Sequence, residues 1–223
     1  MRQRKIRNLD AKLKNYDAYL IEQAEAGSWR DFFPGADKET PLAVEIGCGK
    51  GKFLTATALA HPDRCFLGIE QNESAGFHAL EKADQSQIAN IRFHLRAIRK
   101  EERIFETGEL DRIYLNFSDP WPKARHAKRR LTAPSHLAAY EDYLKDGGIL
   151  EFRTDNRDLF SYSLEQIEDR DAMEILEITT DFHASRKGQP LITTEYEDKF
   201  ANAGKKICYL KVRIRKNSDL REK

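Results

Sequence analysis

Hydrophobic positions along the chain fall into short apolar runs and into segments where apolar residues recur every three or four positions. Short runs are typical of buried strands, and the longer spacing is typical of helices that bury one face. Strands are predicted at residues 42–46, 65–69, 90–95, 110–117, 149–155, 173–178 and, as a final antiparallel strand, 207–214. Helices are predicted at 52–60, 73–84, 156–167, and from 132 or 133 to the glycine pair at 147–148. Strands that alternate with helices indicate an α/β fold with a mostly parallel sheet.

The segments that flank these elements predict one domain with two appendages. Residues 1–40 form a basic N-terminal arm and lead-in, in which the spacing of Leu13, Tyr16 and Leu20 predicts a helix over 12–20. Residues 41–216 form the domain, and 217–223 form a C-terminal tail. A long insertion at 183–205 precedes the last strand, and a loop of that length is usually functional or mobile.

Composition limits the class of protein. The chain has 223 residues, of which 34 % are charged and 40 % hydrophobic, which suits a globular α/β domain. No apolar run is long enough to span a bilayer, and no apolar signal-peptide core follows the basic start. Cys48, Cys65 and Cys208 form no CxxC pair. We therefore expect no disulfide framework, no membrane partner and a reducing, cytoplasmic location.

Charge is unevenly distributed although the net charge is only +1. Basic residues cluster at 2–14, 123–130 and 205–216. A single charged run is usually a solvated face, so no one cluster by itself indicates a nucleic-acid partner. The middle cluster differs because it follows an unusual loop.

That loop is the sequence LNFSDPWPK at 115–123. Asp119 follows a predicted buried strand, and Pro120 and Pro122 each fix their own φ and favour extended geometry at the preceding residue. Trp121 lies between the prolines, and five lysines and arginines follow between 123 and 130 with no acid among them. A carboxylate beside an aromatic ring and a run of cations indicates a site that meets a base and phosphates together.

A glycine-rich turn follows the first strand. Glu45 lies in that strand, glycines stand at 47, 49 and 51, and a helix follows, which is typical of a nucleotide-binding α/β fold. Glu70 ends the second strand, where a carboxylate can accept hydrogen bonds from both ribose hydroxyls. The dinucleotide pattern GxGxxG would need glycine where Lys52 stands, whereas the ExGxGxG spacing resembles the S-adenosylmethionine loop of class I methyltransferases. A dinucleotide site and a purely structural turn remain alternatives, and Cys48 is interpreted as a small filler.

Taken together, these segments resemble the bacterial tRNA (guanine-N7)-methyltransferase family. The resemblance spans roughly residues 40 to 212, and its most specific part is the NFSDPWPK block with the following RHxKRR. The matching segments are 44–51, 116–123, Arg125, His126, 128–132, 154–156, 194–197 and 199–200. The family implies a Rossmann-like class I methyltransferase: seven strands, mostly parallel with the last antiparallel, and helices on both faces. It also implies methyl transfer from S-adenosylmethionine to N7 of a guanosine in the variable loop of tRNA.

The resemblance also implies roles for individual residues. Asp119 would be the catalytic residue, and no metal is implied. The cofactor would be bound by Glu45, Gly47, Gly49, Gly51, Glu70, Ala97 and Asp119. The substrate guanosine would be bound by Lys123, Asp155, Thr194, Glu195, Tyr196 and Glu197. The RNA would be bound by Arg125, His126, Ala127, Lys128, Arg129 and Arg130. Ala97 stands where the family usually has an acid or an amide, so it would offer only backbone contacts near the adenine.

The chemistry of guanine N7 determines what these residues need to do. N7 has an in-plane lone pair and needs no general base, so the enzyme must align it with the methyl donor. Methylation leaves positive charge on the purine, which a fixed carboxylate such as Asp119 would stabilise. Asp155 and Glu197 are candidates to accept hydrogen bonds from the guanine N1–H and amine. Trp121 could stack on the base or buttress the loop.

Three other functions are compatible with part of this pattern. A small-molecule methyltransferase would keep the glycine turn but leaves the 123–130 cations unexplained. A non-catalytic RNA-binding module would keep the cations but has no need of Glu45, Glu70 and Asp119. A nicotinamide dehydrogenase fits the coarse fold but not the glycine spacing. The main interpretation makes tRNA the partner, and leaves open whether the protein is a monomer or a homodimer.

Overall fold

The computed structural model describes residues 6–97, 103–202 and 204–216. The predicted C-terminal tail and the first five residues of the basic arm lie outside this range. Seven strands form one sheet in the order β3-β2-β1-β4-β5-β7-β6. They are β1 Leu42–Ile46, β2 Cys65–Ile69, β3 Ile91–His94, β4 Leu110–Asn116, β5 Leu144–Thr154, β6 Met173–Thr179 and β7 Cys208–Ile214. The prediction of a mostly parallel, seven-stranded sheet with an antiparallel last strand is confirmed, because β7 runs antiparallel to both of its neighbours.

The helices, apart from the first, lie between strands in the sequence. They are α1 Leu9–Leu13, α2 Lys52–Ala60, α3 Glu73–Gln85, α4 Pro134–Tyr143, α5 Arg157–Glu168, α6 Phe182–Ser185 and α7 Glu195–Asn202, with 3₁₀ turns at Lys14–Tyr16, Trp29–Phe32 and Ala124–Arg129. Asn72 and Asn156 begin α3 and α5, since each side chain accepts a hydrogen bond from the backbone N–H three residues later.

Contacts group the chain into two compact units, Met1–Phe105 with Ile192–Glu195, and Glu106–Leu191 with Tyr196–Lys223. In the first unit β2 pairs in parallel with β1 and with β3. Every residue of β1 and β2 is buried, which explains why both strands are apolar apart from Glu45 of β1. In the second unit β5 pairs in parallel with β4 and in antiparallel with β7.

The predicted helix from 132 to the glycine pair at 147–148 is wrong at its C-terminal end. Helix α4 ends at Tyr143, and β5 begins at the next residue. Between the pairs Leu110↔Leu144 and Arg112↔Ile149 the register shifts, and Gly147 there has a φ of 73°. The glycine pair therefore lies in an irregular strand entry, where a positive φ is needed, and does not end a helix.

The prediction of a helix over residues 12–20 is also wrong. Helix α1 ends at Leu13 and a 3₁₀ turn follows. The chain then runs beside the edge strand β3: Phe93 donates a backbone hydrogen bond to Tyr19 at 2.8 Å, and Ile21 donates one to Phe93 at 2.8 Å. This pairing supplies hydrogen-bond partners to the edge of β3, which a continued helix would not do.

The insertion before β7 is partly helical, although it was expected to be a loop. It contains most of α6 and all of α7. Phe200 of α7 packs against a buried cluster formed by Phe182, Ile207 and Tyr209, and Phe117 packs against the same cluster. Burial of Phe200 against this cluster stabilises helix α7 in a segment whose sequence shows no strong helical signal.

Candidate functional site

The glycine-rich turn between β1 and α2 combines an open backbone with a close helix contact. Gly47, Gly49 and Gly51 have φ values of 80°, 58° and 74°, a region that favours glycine. A Cβ added to Gly47 or Gly49 would have no atom within 4 Å, so this backbone is open to a ligand. A Cβ added to Gly51 would lie 2.8 Å from Cβ of Ala79, so the third glycine allows α2 to approach α3.

Glu70 fixes this turn from the end of β2. Its Oε2 accepts a hydrogen bond from the backbone N–H of Gly49 at 2.9 Å, and its Oε1 accepts one from Asn72 at 2.7 Å. Each carboxylate oxygen can accept a second hydrogen bond, so the group remains able to bind a pair of hydroxyls. Glu45 is buried in β1 directly before the turn, and Ala97 is exposed beyond β3. An open glycine backbone flanked by two acids fits the nucleoside and amino-acid parts of S-adenosylmethionine.

Cys48 lies inside this turn as a buried side chain. Burial raises the pKa of its thiol well above the usual value, and the carboxylates of Glu45 and Glu70 raise it further. The thiol therefore stays protonated at neutral pH and is a poor nucleophile. This agrees with its interpretation as a small filler.

The loop after β4 has an unusual backbone. Phe117 and Trp121 have φ values of 51° and 41°, although neither is glycine. The extended geometry predicted for Trp121 from the following proline is therefore wrong. A bulky residue at positive φ costs about 1–2 kcal/mol, so surrounding contacts must hold this conformation. Asp119 lies between the two strained residues and is exposed.

The basic run after this loop divides into two groups. Lys123, Arg125 and Lys128 are exposed. Arg129 is also exposed, but it lies over the Trp121 ring, with its guanidinium carbon 4.9 Å from the ring centroid. Arg130 donates hydrogen bonds to the carbonyls of Pro120 and Trp121, both at 3.1 Å. Part of the run is therefore available to a partner, and part is engaged with the loop itself.

The segment expected to bind guanosine contains both buried and exposed residues. Tyr196 is 56 % exposed, whereas Glu197 is fully buried. Oε2 of Glu197 lies 3.3 Å from Nη1 of Arg153, and Oε1 lies 2.7 Å from Nε2 of His183. Glu197 is thus held by two basic side chains inside the second unit.

Glu195 of this segment, the neighbouring Thr193 and the predicted guanosine-binding residue Asp155 are each held by a lysine. In the first unit Lys82 pairs with Glu195 at 2.9 Å, and Lys52 donates a hydrogen bond to the Thr193 hydroxyl at 3.0 Å. In the second unit Lys205 pairs with Asp155 at 2.9 Å. None of the anchoring basic residues was predicted from the sequence to belong to the site. For Arg153 the available signal was a basic residue inside a predicted strand, while the helix positions of Lys52 and Lys82 gave none.

The described units therefore bring together two sets of the predicted residues. The first unit gathers Glu45, the three glycines and Glu70 around one turn. The second unit gathers Trp121, His126, Arg129 and Arg130 around the loop that holds Asp119. In the part of the chain that the structure describes, no group of three or more histidine, cysteine or acidic side chains is arranged to hold a metal ion. No helix within the same ranges is long and apolar enough to cross a bilayer.

Comparison with solved structures defines the class of fold. The chain superposes on the 16S rRNA methyltransferase KamB with a TM-score of 0.60 at 9 % identity, covering 87 % of this chain and 96 % of that one. An antibiotic-related methyltransferase gives a TM-score of 0.56 at 15 % identity, covering 79 % and 88 %. The fold is therefore that of the Rossmann-like methyltransferases.

Sequence comparison then defines the family. A family profile described as "Putative methyltransferase" matches residues 39–210. Proteins named tRNA (guanine-N(7)-)-methyltransferase from Macrococcus caseolyticus and Listeria monocytogenes are 42 % and 41 % identical to this chain, each over 92 % of it and 95 % of the relative. One from Halalkalibacterium halodurans is 39 % identical over 94 % of both chains. The chain belongs to the tRNA (guanine-N7)-methyltransferase family.

Proposed function

We propose that this chain transfers a methyl group from S-adenosylmethionine to N7 of a guanosine in the variable loop of tRNA. One observation carries the proposal: a single loop presents an exposed carboxylate, a half-exposed tryptophan and a run of cations. A methyltransferase acting on a small molecule has no use for such a run. Relatives that bear the name of this activity match the chain over more than nine tenths of its length.

The residues of the glycine turn suit the cofactor. The bare backbone of Gly47 and Gly49 would take its methionine part, Glu70 would accept from its ribose hydroxyls, and backbone near Ala97 would meet its adenine. Glu45 would bind it from the first strand, and Asp119 completes the proposed set. S-adenosylmethionine, when bound, supplies an electrophilic methyl group on a sulfonium centre.

Asp119 is the proposed catalytic residue. Methylation at N7 requires no proton to be removed, so the carboxylate does not act as a base. Its negative charge stabilises the positive charge that develops on the purine. The strained residues on both sides of Asp119 restrict where that charge can lie, which favours a group positioned before the reaction begins.

Guanosine recognition is proposed for Lys123, Asp155 and the 194–197 segment. Tyr196 is the most accessible member of that segment. Glu197 was considered as an acceptor for the guanine N1–H, but its carboxylate is buried against Arg153 and His183. We therefore propose that Glu197 acts by holding the segment, while Asp155 accepts from the base.

The run at 125–130 is proposed to bind the phosphates that flank the target nucleotide. Exposed cations such as Arg125 and Lys128 suit this role, because phosphate contacts position RNA without reading its sequence. A tRNA substrate implies a cytoplasmic enzyme. Sedimentation of the purified protein would distinguish a monomer from a homodimer.

Methylation of defined transcripts tests the function directly. We expect label to pass from methyl-labelled S-adenosylmethionine to an unmodified tRNA transcript. Borohydride reduction followed by aniline should then cleave the RNA at one variable-loop guanosine. A matched transcript made with 7-deazaguanosine, which lacks N7, should accept no label. Label on the deaza transcript, label at another atom, or no label on either would contradict the proposal.

A further inference from the structure

We propose that Arg130 is a positioning residue for Asp119, and that it does not act mainly by binding RNA phosphate. The kinetic consequence of this inference rests on the proposed function, whereas the restraint of the Trp121 backbone by Arg130 does not. It separates Arg130 from the exposed cations of the same run, with which its sequence position had grouped it.

The first observation is the geometry of the two hydrogen bonds. Nε of Arg130 donates to the carbonyl of Pro120, and Nη2 donates to the carbonyl of Trp121. These carbonyls belong to the two peptide units on either side of the Trp121 Cα. Since the guanidinium is a rigid planar fork, holding both carbonyls restricts the torsions of Trp121.

The second observation is that these torsions need restraint. Trp121 has a φ of 41° and precedes a proline, so both its own side chain and Pro122 disfavour the observed conformation. Asp119 is only two residues before Trp121. Relaxation of Trp121 would therefore move the carboxylate that the reaction requires.

The third observation is that Arg130 is itself fixed. Its guanidinium carbon lies 4.2 Å from the centroid of the Tyr162 ring on α5. Its backbone N–H donates to Ala127 and its carbonyl accepts from Ala133, both at 3.0 Å. Arg130 is half-buried, while Arg125 is exposed. The Arg130 side chain is thus held between helix α5 and the loop.

Three variants distinguish a positioning role of Arg130 from a role in phosphate binding. Arg130→Lys keeps the charge but loses the planar fork, and Tyr162→Ala removes the stacking surface without changing any charge. Arg125→Ala is the matched control, because it deletes an exposed cation of the same run. Circular dichroism should first verify that all three variants are folded.

Acrylamide quenching reports the loop without requiring activity. The chain has two tryptophans, and Trp29 is only 1 % exposed, so quenching reports mainly on Trp121. We expect quenching to increase in Arg130→Lys and Tyr162→Ala and to stay unchanged in Arg125→Ala. Unchanged quenching in both of the first two variants would overturn the proposal, even if the wild type proved inactive on tRNA.

Kinetics then test the consequence for Asp119. At saturating tRNA and cofactor, we expect the single-turnover rate of Arg130→Lys and Tyr162→Ala to fall about 10- to 100-fold. The dependence of tRNA affinity on salt should be unchanged in both. Arg125→Ala should instead weaken tRNA binding and lower the salt slope by about 1. A normal rate in both Arg130→Lys and Tyr162→Ala would contradict the positioning role and leave Arg130 as a phosphate contact. Absence of methylation by the wild type would refute the proposed function. The quenching result would then still test whether Arg130 restrains the loop at Trp121.

Discussion

Alanine substitutions at Gly51 and Gly49 should separate the packing role of the glycine turn from its ligand-binding role. Both residues have positive φ, so each substitution costs about 1 kcal/mol in backbone conformation. At Gly51 the new methyl group would also lie 2.8 Å from Cβ and 3.2 Å from Cα of Ala79. Since a backbone carbon cannot easily move away, overpacking adds about 1–3 kcal/mol. At Gly49 there is no neighbour within 4 Å, and this second contribution is absent.

Urea unfolding at 25 °C, followed by circular dichroism, measures the stability difference. We expect Gly51→Ala to lower the free energy of unfolding by about 2–4 kcal/mol, and Gly49→Ala by about 1 kcal/mol. Calorimetric titration with S-adenosylmethionine should show a contrasting effect of Gly49→Ala. Its methyl group occupies the open backbone face and should weaken binding about 10- to 100-fold.

The outcome that would refute this reasoning is equal destabilisation by the two substitutions, because their backbone costs are similar and only Gly51 is crowded. Full cofactor affinity in Gly49→Ala would show that the open backbone is not the binding face. If Gly51→Ala proves too unstable to purify, its thermal midpoint in lysate relative to that of Gly49→Ala still gives the order.

Three further predictions concern other residues. Asp119→Asn should lower the turnover rate about 10²- to 10³-fold while filter-binding affinity for tRNA stays unchanged, and a near-normal rate would remove its catalytic role. Glu197→Gln should lower the free energy of unfolding by about 3 kcal/mol because Arg153 loses a buried carboxylate partner; a loss below about 1 kcal/mol in urea would contradict this. Burial raises the pKa of the Cys65 thiol from 9.0 to about 11. Because the folded state holds the proton more tightly than the unfolded state, the protonated thiol contributes to stability below pH 9. This contribution is lost as the pH rises to 11. The stability difference between wild type and Cys65→Ala should therefore shrink by about 1.4 kcal/mol from pH 7 to pH 10, and a constant difference would show that the thiol does not titrate as expected.

Local pattern was sufficient wherever a strand is buried on both faces. Leu42–Ile46 and Cys65–Ile69 match their predicted bounds, as does helix Lys52–Ala60, because short, mostly apolar runs and a glycine turn leave few alternatives. The same logic failed at Leu144. Leu144 is apolar and lies four positions after Tyr140, so its position fits the buried face of a helix as well as it fits the start of a strand. Pairing with Leu110 decides between them, and that partner is distant in sequence.

The candidate site shows the same limit. Its glycines, acids and cations could be identified one by one from the sequence. Their local contacts could not, because the pairing of Arg153 with Glu197 joins residues 44 positions apart. The positive φ of Trp121 even opposes the local rule for a residue before proline. Where tertiary contacts override a local preference, sequence alone predicts the wrong conformation.

The position of β7 between β5 and β6 has a consequence for how the chain folds during synthesis. β5 and β6 precede β7 in sequence, yet each pairs with β7 in the finished sheet. Until residues 208–214 leave the ribosome, both strands have an edge without its partner, and such edges are prone to aggregate. The pairs Ile149↔Arg213 and Met173↔Ile214 also join distant residues, which slows folding. We therefore expect the second unit to mature after translation of its last strand, and nascent chains stalled before Cys208 to depend on chaperones.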